Sequence, residues 1–199
     1  MGRIPLQNPK SAELLPSWRA QPGMLGVRLT FLGPEAKWLE DGTADWFWPA
    51  AEKAGLPVMF LAPGRLANMV RVAERHPQLQ LIVDHMGINF LDKTILAGKF
   101  EGAINNTLTL AKYLNVSVKL SGIFSKEPYP YRDINPLIKE LFDAFGPQRC
   151  YWGTDITSSF ARATWRQRVT RFTEELDFLT EEDKDWVMGR AIVERLKWS

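Results

Sequence analysis

From Met24 to Phe31 apolar and polar positions alternate, with Leu25, Val27, Leu29 and Phe31 on one face and Gly26, Arg28 and Thr30 on the other. That period of two predicts a strand with one buried face. Val116 to Gly122 repeats the pattern, setting Val116, Val118 and Leu120 against Ser117, Lys119 and Ser121. Three shorter apolar runs, Leu56–Leu61, Leu79–Val83 and Cys150–Trp152, fit buried strands, and Met1–Leu6 is a strand-like stub ended by Gln7-Asn8-Pro9.

Helical spacing fills the intervals. Asp45 is placed to cap a helix through Trp46, Phe47 and Ala50 to Ala54, with Pro49 in its first turn and Gly55 as its stop. Leu66, Met69, Val70 and Ala73 predict a second helix, closed by His76-Pro77, with His76 on the surface at its end. Phe100 to Leu114 reads as helix, as does Asp133 to Phe145 with Ile134, Leu137, Ile138, Leu141 and Phe142 on one side. Thr164 to Leu179 is amphipathic, and Thr180-Glu181-Glu182-Asp183 forms an acidic capping box for a last helix burying Trp186, Val187, Ile192, Val193 and Leu196. Ser11 to Ala20 predicts a short helix broken near Pro16, and Trp38 to Thr43 a loop.

Strand alternating with helix every ~25 to 35 residues predicts an α/β fold built from βαβ units on a parallel sheet. No Gly-rich phosphate loop follows any strand, which argues against a nucleotide-binding doubly wound sheet. Several strands instead end in a polar or titratable group. In a parallel (β/α) barrel alternate strand residues face the interior, so Arg28, His85, Lys119 and Asp155 are expected to converge at one mouth.

Composition narrows the partners. A chain of 199 residues with 45% hydrophobic content can bury a sizeable core as one domain. Lys and Arg number 25 against 23 acidic residues with no block of either sign, which points to a small-molecule partner and away from nucleic acid or a membrane surface. The one cysteine, Cys150, lies in an apolar strand, so it reads as an inert packing residue in a reducing compartment. No apolar run approaches the ~20 residues of a membrane span and no signal peptide opens the sequence, giving a cytoplasmic expectation.

The segment Tyr151-Trp152-Gly153-Thr154-Asp155 runs from apolar strand to an abruptly presented carboxylate. Asp155 therefore reads as a catalytic candidate at the ligand-collecting end of a parallel strand, or as the cap of the next helix. His85 follows Leu81 and Val83 on one side of its strand and precedes Gly87. Imidazole with carboxylate suits a divalent metal such as zinc, or acid/base work on water. Two such ligands fall short of the usual three, so weak metal binding is expected. Arg28 and Lys119 suit the carboxylate of an acidic substrate, or an interior ion pair with Asp84 or Asp155. Trp46, Phe47 and Trp48 read as packing. Ser121 and Ser158 sit in no nucleophile elbow, which argues against a serine hydrolase.

Leu81 to Gly87 (LIVDHMG), Val116 to Gly122 (VSVKLSG) and Gly146 to Thr157 (GPQRCYWGTDIT) resemble, in that order, the amidohydrolase-2 branch of metal-dependent TIM-barrel hydrolases. That group includes pyrone dicarboxylate and fuconolactone hydrolases and an aminocarboxymuconate semialdehyde decarboxylase. The resemblance implies that His85 matches the mid-barrel histidine and Asp155 the late aspartate that ligates metal or activates water. It also implies a first strand carrying His-x-His, and no histidine precedes Arg28. A full barrel has about eight strands and ~250 residues. The reading is therefore a barrel lacking its N-terminal strand, whose open edges, together with Trp18, Trp46, Trp48 and Trp198, predict a homo-oligomer.

Overall fold

The computed structural model describes residues 1–198, with the side chain of Ser158 also outside the description, so the reading of Ser158 as a non-nucleophile lies outside the described residues. Five parallel strands form one sheet in the order β1 to β5: β1 (Val27–Thr30), β2 (Val58–Leu61), β3 (Leu81–Val83), β4 (Val116–Leu120) and β5 (Cys150–Trp152). Each lies within a segment predicted as strand, and the parallel α/β class follows from helices on the crossovers. These are α1 (Phe47–Lys53), α2 (Leu66–Arg75), the single turns α3 (Lys93–Leu96) and α4 (Asn105–Leu108), and α5 (Asn135–Phe145). After β5 come α6 (Ile156–Ser159), α7 (Trp165–Thr170), α8 (Glu181–Asp185) and α9 (Ala191–Leu196). The stub Met1–Leu6 reaches the sheet through a single parallel bridge, Gly2 to Val27.

Register sorts the two faces. One carries the rows Val27, Val58, Leu81, Val116 and Leu29, Phe60, Val83, Val118, Cys150. All are buried in the main core with Leu66, Met69, Leu137, Ile138 and Leu141 from α2 and α5. Burial of each such side chain contributes about 1.5–3 kcal/mol, which makes this face the main support of the fold. The opposite face carries Arg28, Met59, Ile82 and Ser117 in one row and Lys119 beside Tyr151. Its lower half is covered by Trp186, Ala191 and Leu196 of the C-terminal helical segment. Its upper half, toward the C-terminal strand ends, holds the charges.

Local chemistry explains several departures from the sequence reading. Phe100 to Leu114 is not one helix; it is a run of turns around the four-residue α4. Asn105, Asn106 and Thr107 compete with helix hydrogen bonds, and the Thr107 hydroxyl instead donates to Met86 O at 2.9 Å. Asp45 does not cap α1, whose N-cap is Trp46. Gly33 to Leu39 is a 3-10 helix running into the predicted loop. The amphipathic helix from Thr164 stops at Glu175 after a π-helical turn over Arg171–Glu175. The predicted capping box of the last segment stands, with Thr180 and Asp183 capping each other reciprocally. Val193, expected inside, is 41% exposed.

The expected interface tryptophans are largely absorbed by packing. Trp18 and Trp48 are buried, and Trp46 is half-buried with its indole N–H donating to Leu6 O at 2.8 Å. Trp46, Phe47 and Trp48 stack edge to face, which is the packing role expected of them. His76 is tied down by the Glu52 carboxylate at 2.9 Å from Nδ1, where a loose surface position was expected. Cys150 is fully buried and burial pushes its thiol pKa far up, so it stays an un-ionised packing group.

Candidate active site

The mouth of the sheet is organised by Asp84, which the sequence reading left as a partner for other charges. Asp84 continues the parity of Ile82, the same face as Arg28 and Lys119. Its side chain is fully buried. Arg28 donates to Asp84 Oδ2 from Nε at 3.0 Å and from Nη2 at 2.5 Å, and Lys119 Nζ donates to Oδ1 at 2.8 Å. Both oxygens are thus engaged by cations from strands on either side. Arg28 and Lys119 take the interior ion pair that was one of their two sequence readings. Lys119 can lie flat because β5 continues into Gly153, where a Cβ would stand 2.4 Å from Lys119 Cε.

His85 reaches the same centre by a different route. Strand alternation would send it with Leu81 and Val83 toward the helices, contrary to its expected convergence by strand parity alone. The chain breaks the alternation: His85 and Met86 take left-handed backbone angles (φ 50° and 57°) and Gly87 follows at φ 68°. Gly87 is required there, since a Cβ would lie 2.2 Å from Thr107 Oγ1 and 2.4 Å from Leu66 Cδ1. The turn swings the imidazole back over the charged face, where Nδ1 meets Ser121 Oγ at 2.9 Å. Nε2 lies 3.4 Å from Asp84 Oδ2 and 3.5 Å from Asp155 Oδ1. Asp155 is delivered just past β5 by another left-handed residue, φ 49°. The expected convergence of Arg28, His85, Lys119 and Asp155 therefore occurs, with Asp84 as its hub.

The electrostatics follow from burial. Desolvation would raise the Asp84 carboxyl, but the Lys119 ammonium, the His85 imidazole and the Arg28 guanidinium outweigh it and hold Asp84 below the usual carboxylate range. Burial lowers His85, and Lys119 and Arg28 push the same way against Asp84 and Asp155, so the ring is neutral at pH 7. Two carboxylate oxygens beside Nε2 favour the tautomer with its proton there, leaving Nδ1 to accept from the Ser121 hydroxyl. Ser121, set aside as a nucleophile, is thus a histidine-orienting group.

Both shifts have the same consequence for stability. A group whose pKa is lower folded than unfolded adds stability that is complete above the unfolded pKa and is lost as pH falls through the folded one. For His85 that loss begins below about pH 6.5 and for Asp84 below about pH 4. The urea midpoint is expected to hold between pH 8 and pH 7 and then decline in two stages toward pH 3. A midpoint that rises on acidification would contradict this arrangement.

In front of the cluster lies a cavity of about 470 Å³. Arg28, His85 and Asp155 form its polar wall, Phe90, Ile95 and Phe124 an apolar one, and Lys126 and Arg162 add positive charge. Lys126 sits in a loop and Arg162 closes a short 3-10 turn, Phe160–Arg162, and no sequence signal singled them out. Arg162 is anchored by donating to Ile123 O at 2.8 Å.

Zinc, the expected metal, needs more donors than this cluster offers. His85 and Asp155 stand together, but both Asp84 oxygens already accept from cations, and among the described residues no group of three His, Cys, Asp or Glu side chains is placed to hold an ion. A zinc site needs about three protein donors with a position left open. The residues of this chain alone do not fit a complete zinc centre.

Over 98 residues, 48% of this chain and 32% of that enzyme, the chain is 31% identical to an L-fucono-1,5-lactonase of Burkholderia ambifaria, so the match spans about a third of the relative. Its fold matches an amidohydrolase from Burkholderia multivorans with bound zinc at a TM-score of 0.80 and 21% identity, covering 99% of this chain and 72% of that one. It also matches a probable 2-pyrone-4,6-dicarboxylic acid hydrolase from Acinetobacter baumannii with citric acid bound, at a TM-score of 0.76 and 18% identity, covering 98% and 71%. The family model for amidohydrolases matches residues 4–192, nearly the whole sequence, and the chain belongs to the amidohydrolase family.

Proposed function

We propose that this protein is a hydrolase that opens a small carboxylated lactone ring. The observation that carries the reading is the His85–Asp155 pair, 3.5 Å apart, on the polar wall of a cavity that also offers Lys126 and Arg162. The lactonase likeness of one relative supports the reaction class. A lactone carbonyl seated against this wall would meet water beside Asp155. The carboxylate accepts the water proton as oxygen attacks, and the His85 Nε2–H stabilises the developing oxyanion. As the ring C–O bond breaks, the proton held by Asp155 passes to the departing ring oxygen. Lys126 and Arg162 bind the substrate carboxylate. Asp84 keeps Arg28 and Lys119 in place and adds negative charge beside the imidazole.

The test is a panel of five- and six-membered lactones, with and without a carboxylate, assayed by base uptake at constant pH in parallel arms with and without added zinc. Ring opening that favours the carboxylated members supports the reading. Carbon dioxide release from aromatic or muconate-like acids without any ring opening would replace it with decarboxylation.

A further inference from the structure

Behind the Asp155 loop lies a second, much smaller cavity of about 20 Å³, lined by Ser121, Tyr131, Trp152, Thr154, Arg168 and Arg171 among others. That is room for a single water-sized particle. What surrounds it is unusual in charge. Arg168 and Arg171 are both 4% exposed, one helical turn apart on α7 and its π-helical continuation. Buried cations are ordinarily paired with an anion, because an isolated charge loses several kcal/mol of hydration.

Among the described residues neither guanidinium forms an ion pair with a carboxylate. Arg168 directs its four terminal hydrogen bonds to neutral oxygens: Thr154 O, Ser159 Oγ at 2.9 Å, Ser159 O at 2.5 Å and Ala163 O at 3.1 Å. Arg171 donates to Asn135 Oδ1 at 3.1 Å and lies 5.6 Å from the Tyr131 ring centre. The carboxylate that acts on Arg171 through charge is Asp133, which itself accepts from the Ser125 hydroxyl and the Lys126 backbone N–H. Burial pushes Arg171 down to about 10, with Asp133 only partly offsetting it. Both Nε–H groups are buried with no acceptor among the described residues. The two arginines that carry these donors both line the one-particle cavity.

We propose that this cavity is a binding site for one monovalent, halide-sized anion, chloride in solution. A water would satisfy hydrogen-bond geometry but would leave both charges uncompensated, whereas an anion answers both. Its position gives it a second effect. Ser121 on one wall orients His85, and Thr154 on another precedes Asp155, so an occupied site holds both catalytic partners from behind. This inference stands apart from the choice of substrate.

The experiment uses the full chain in sodium gluconate, an anion too large to enter, exchanged stepwise for chloride or bromide at constant ionic strength. The unfolding temperature is expected to rise with the logarithm of halide concentration above its dissociation constant, by about 3–6 °C at a tenfold excess over that constant. Arg171→Met should abolish the dependence, and Lys139→Met, on an exposed cation, should keep it. Crystals of the unaltered protein grown in bromide should give an anomalous peak beside both Nε atoms. Equal unfolding temperatures in gluconate and halide, or bromide crystals with water alone in the cavity, would overturn the proposal. Because the bromide measurement needs no variant, it decides the matter even if Arg171→Met fails to fold.

Discussion

Asp155→Asn is expected to lower lactone turnover by roughly 10²- to 10⁴-fold, the usual contribution of a positioned general base. The substitution keeps shape and much of the hydrogen-bonding capacity and removes only the ability to take a proton. In the arrangement described, no second carboxylate can substitute. Asp84 accepts from Arg28 and Lys119 on both oxygens and is held well ionised by them, which makes it a poor proton acceptor. The loss should therefore fall on kcat, with KM little changed, because Lys126 and Arg162 still bind the substrate carboxylate. An unfolding temperature close to that of the parent would show that the fold is intact. A variant that retains parental kcat would remove Asp155 from the reaction.

The largest effect on stability is expected from Asp84→Asn, about 3 kcal/mol of folding free energy, at the low end for breaking a buried charge network. The low end is chosen because Arg28 and Lys119 keep 28% and 19% of their side-chain surface exposed and can regain some hydration. For a chain of this size that corresponds to a fall of about 6–12 °C in unfolding temperature. The deficit arises from two cations left facing each other rather than from the lost carboxylate itself. Adding Lys119→Met to Asp84→Asn should therefore recover part of the loss, even though the double variant has one more altered residue. If the double variant is less stable than Asp84→Asn by the full effect of Lys119→Met alone, the charges are not coupled through Asp84.

Much of this arrangement was legible in the sequence, for reasons that also mark where reading stopped. Val27, Leu29, Val116 and Val118 declared their strands because one face had to meet helices and the other carried Arg28, Ser117 and Lys119. Parity assigned Arg28 and Lys119 correctly. The same parity, followed one step further from Ile82, would have found Asp84. It misassigned His85, whose place depends on backbone angles that strand periodicity does not encode; only Gly87 hinted at them. The long helix expected from Phe100 failed because Thr107 prefers the carbonyl of Met86 across the turn, a tertiary bond invisible to local pattern. Lys126 comes from a loop and Arg162 from a single 3-10 turn, where placement is decided by packing. The small cavity was equally silent, since the amphipathic spacing of Thr164 to Leu179 does not tell that Arg168 and Arg171 are buried.

The Asp84 hub also bears on the order in which the molecule is built. It joins Arg28, 56 residues before it, to Lys119, 35 residues after it. Closing such loops is entropically expensive before the contacts that reward it exist, so parallel pairings of this kind form slowly. Until β1 to β4 are paired in order, each of the three charges is better off in water than against its partners. The mouth is therefore expected to assemble late, after the three crossovers between β1 and β4 have docked, so that the apolar core precedes the charged cluster it supports.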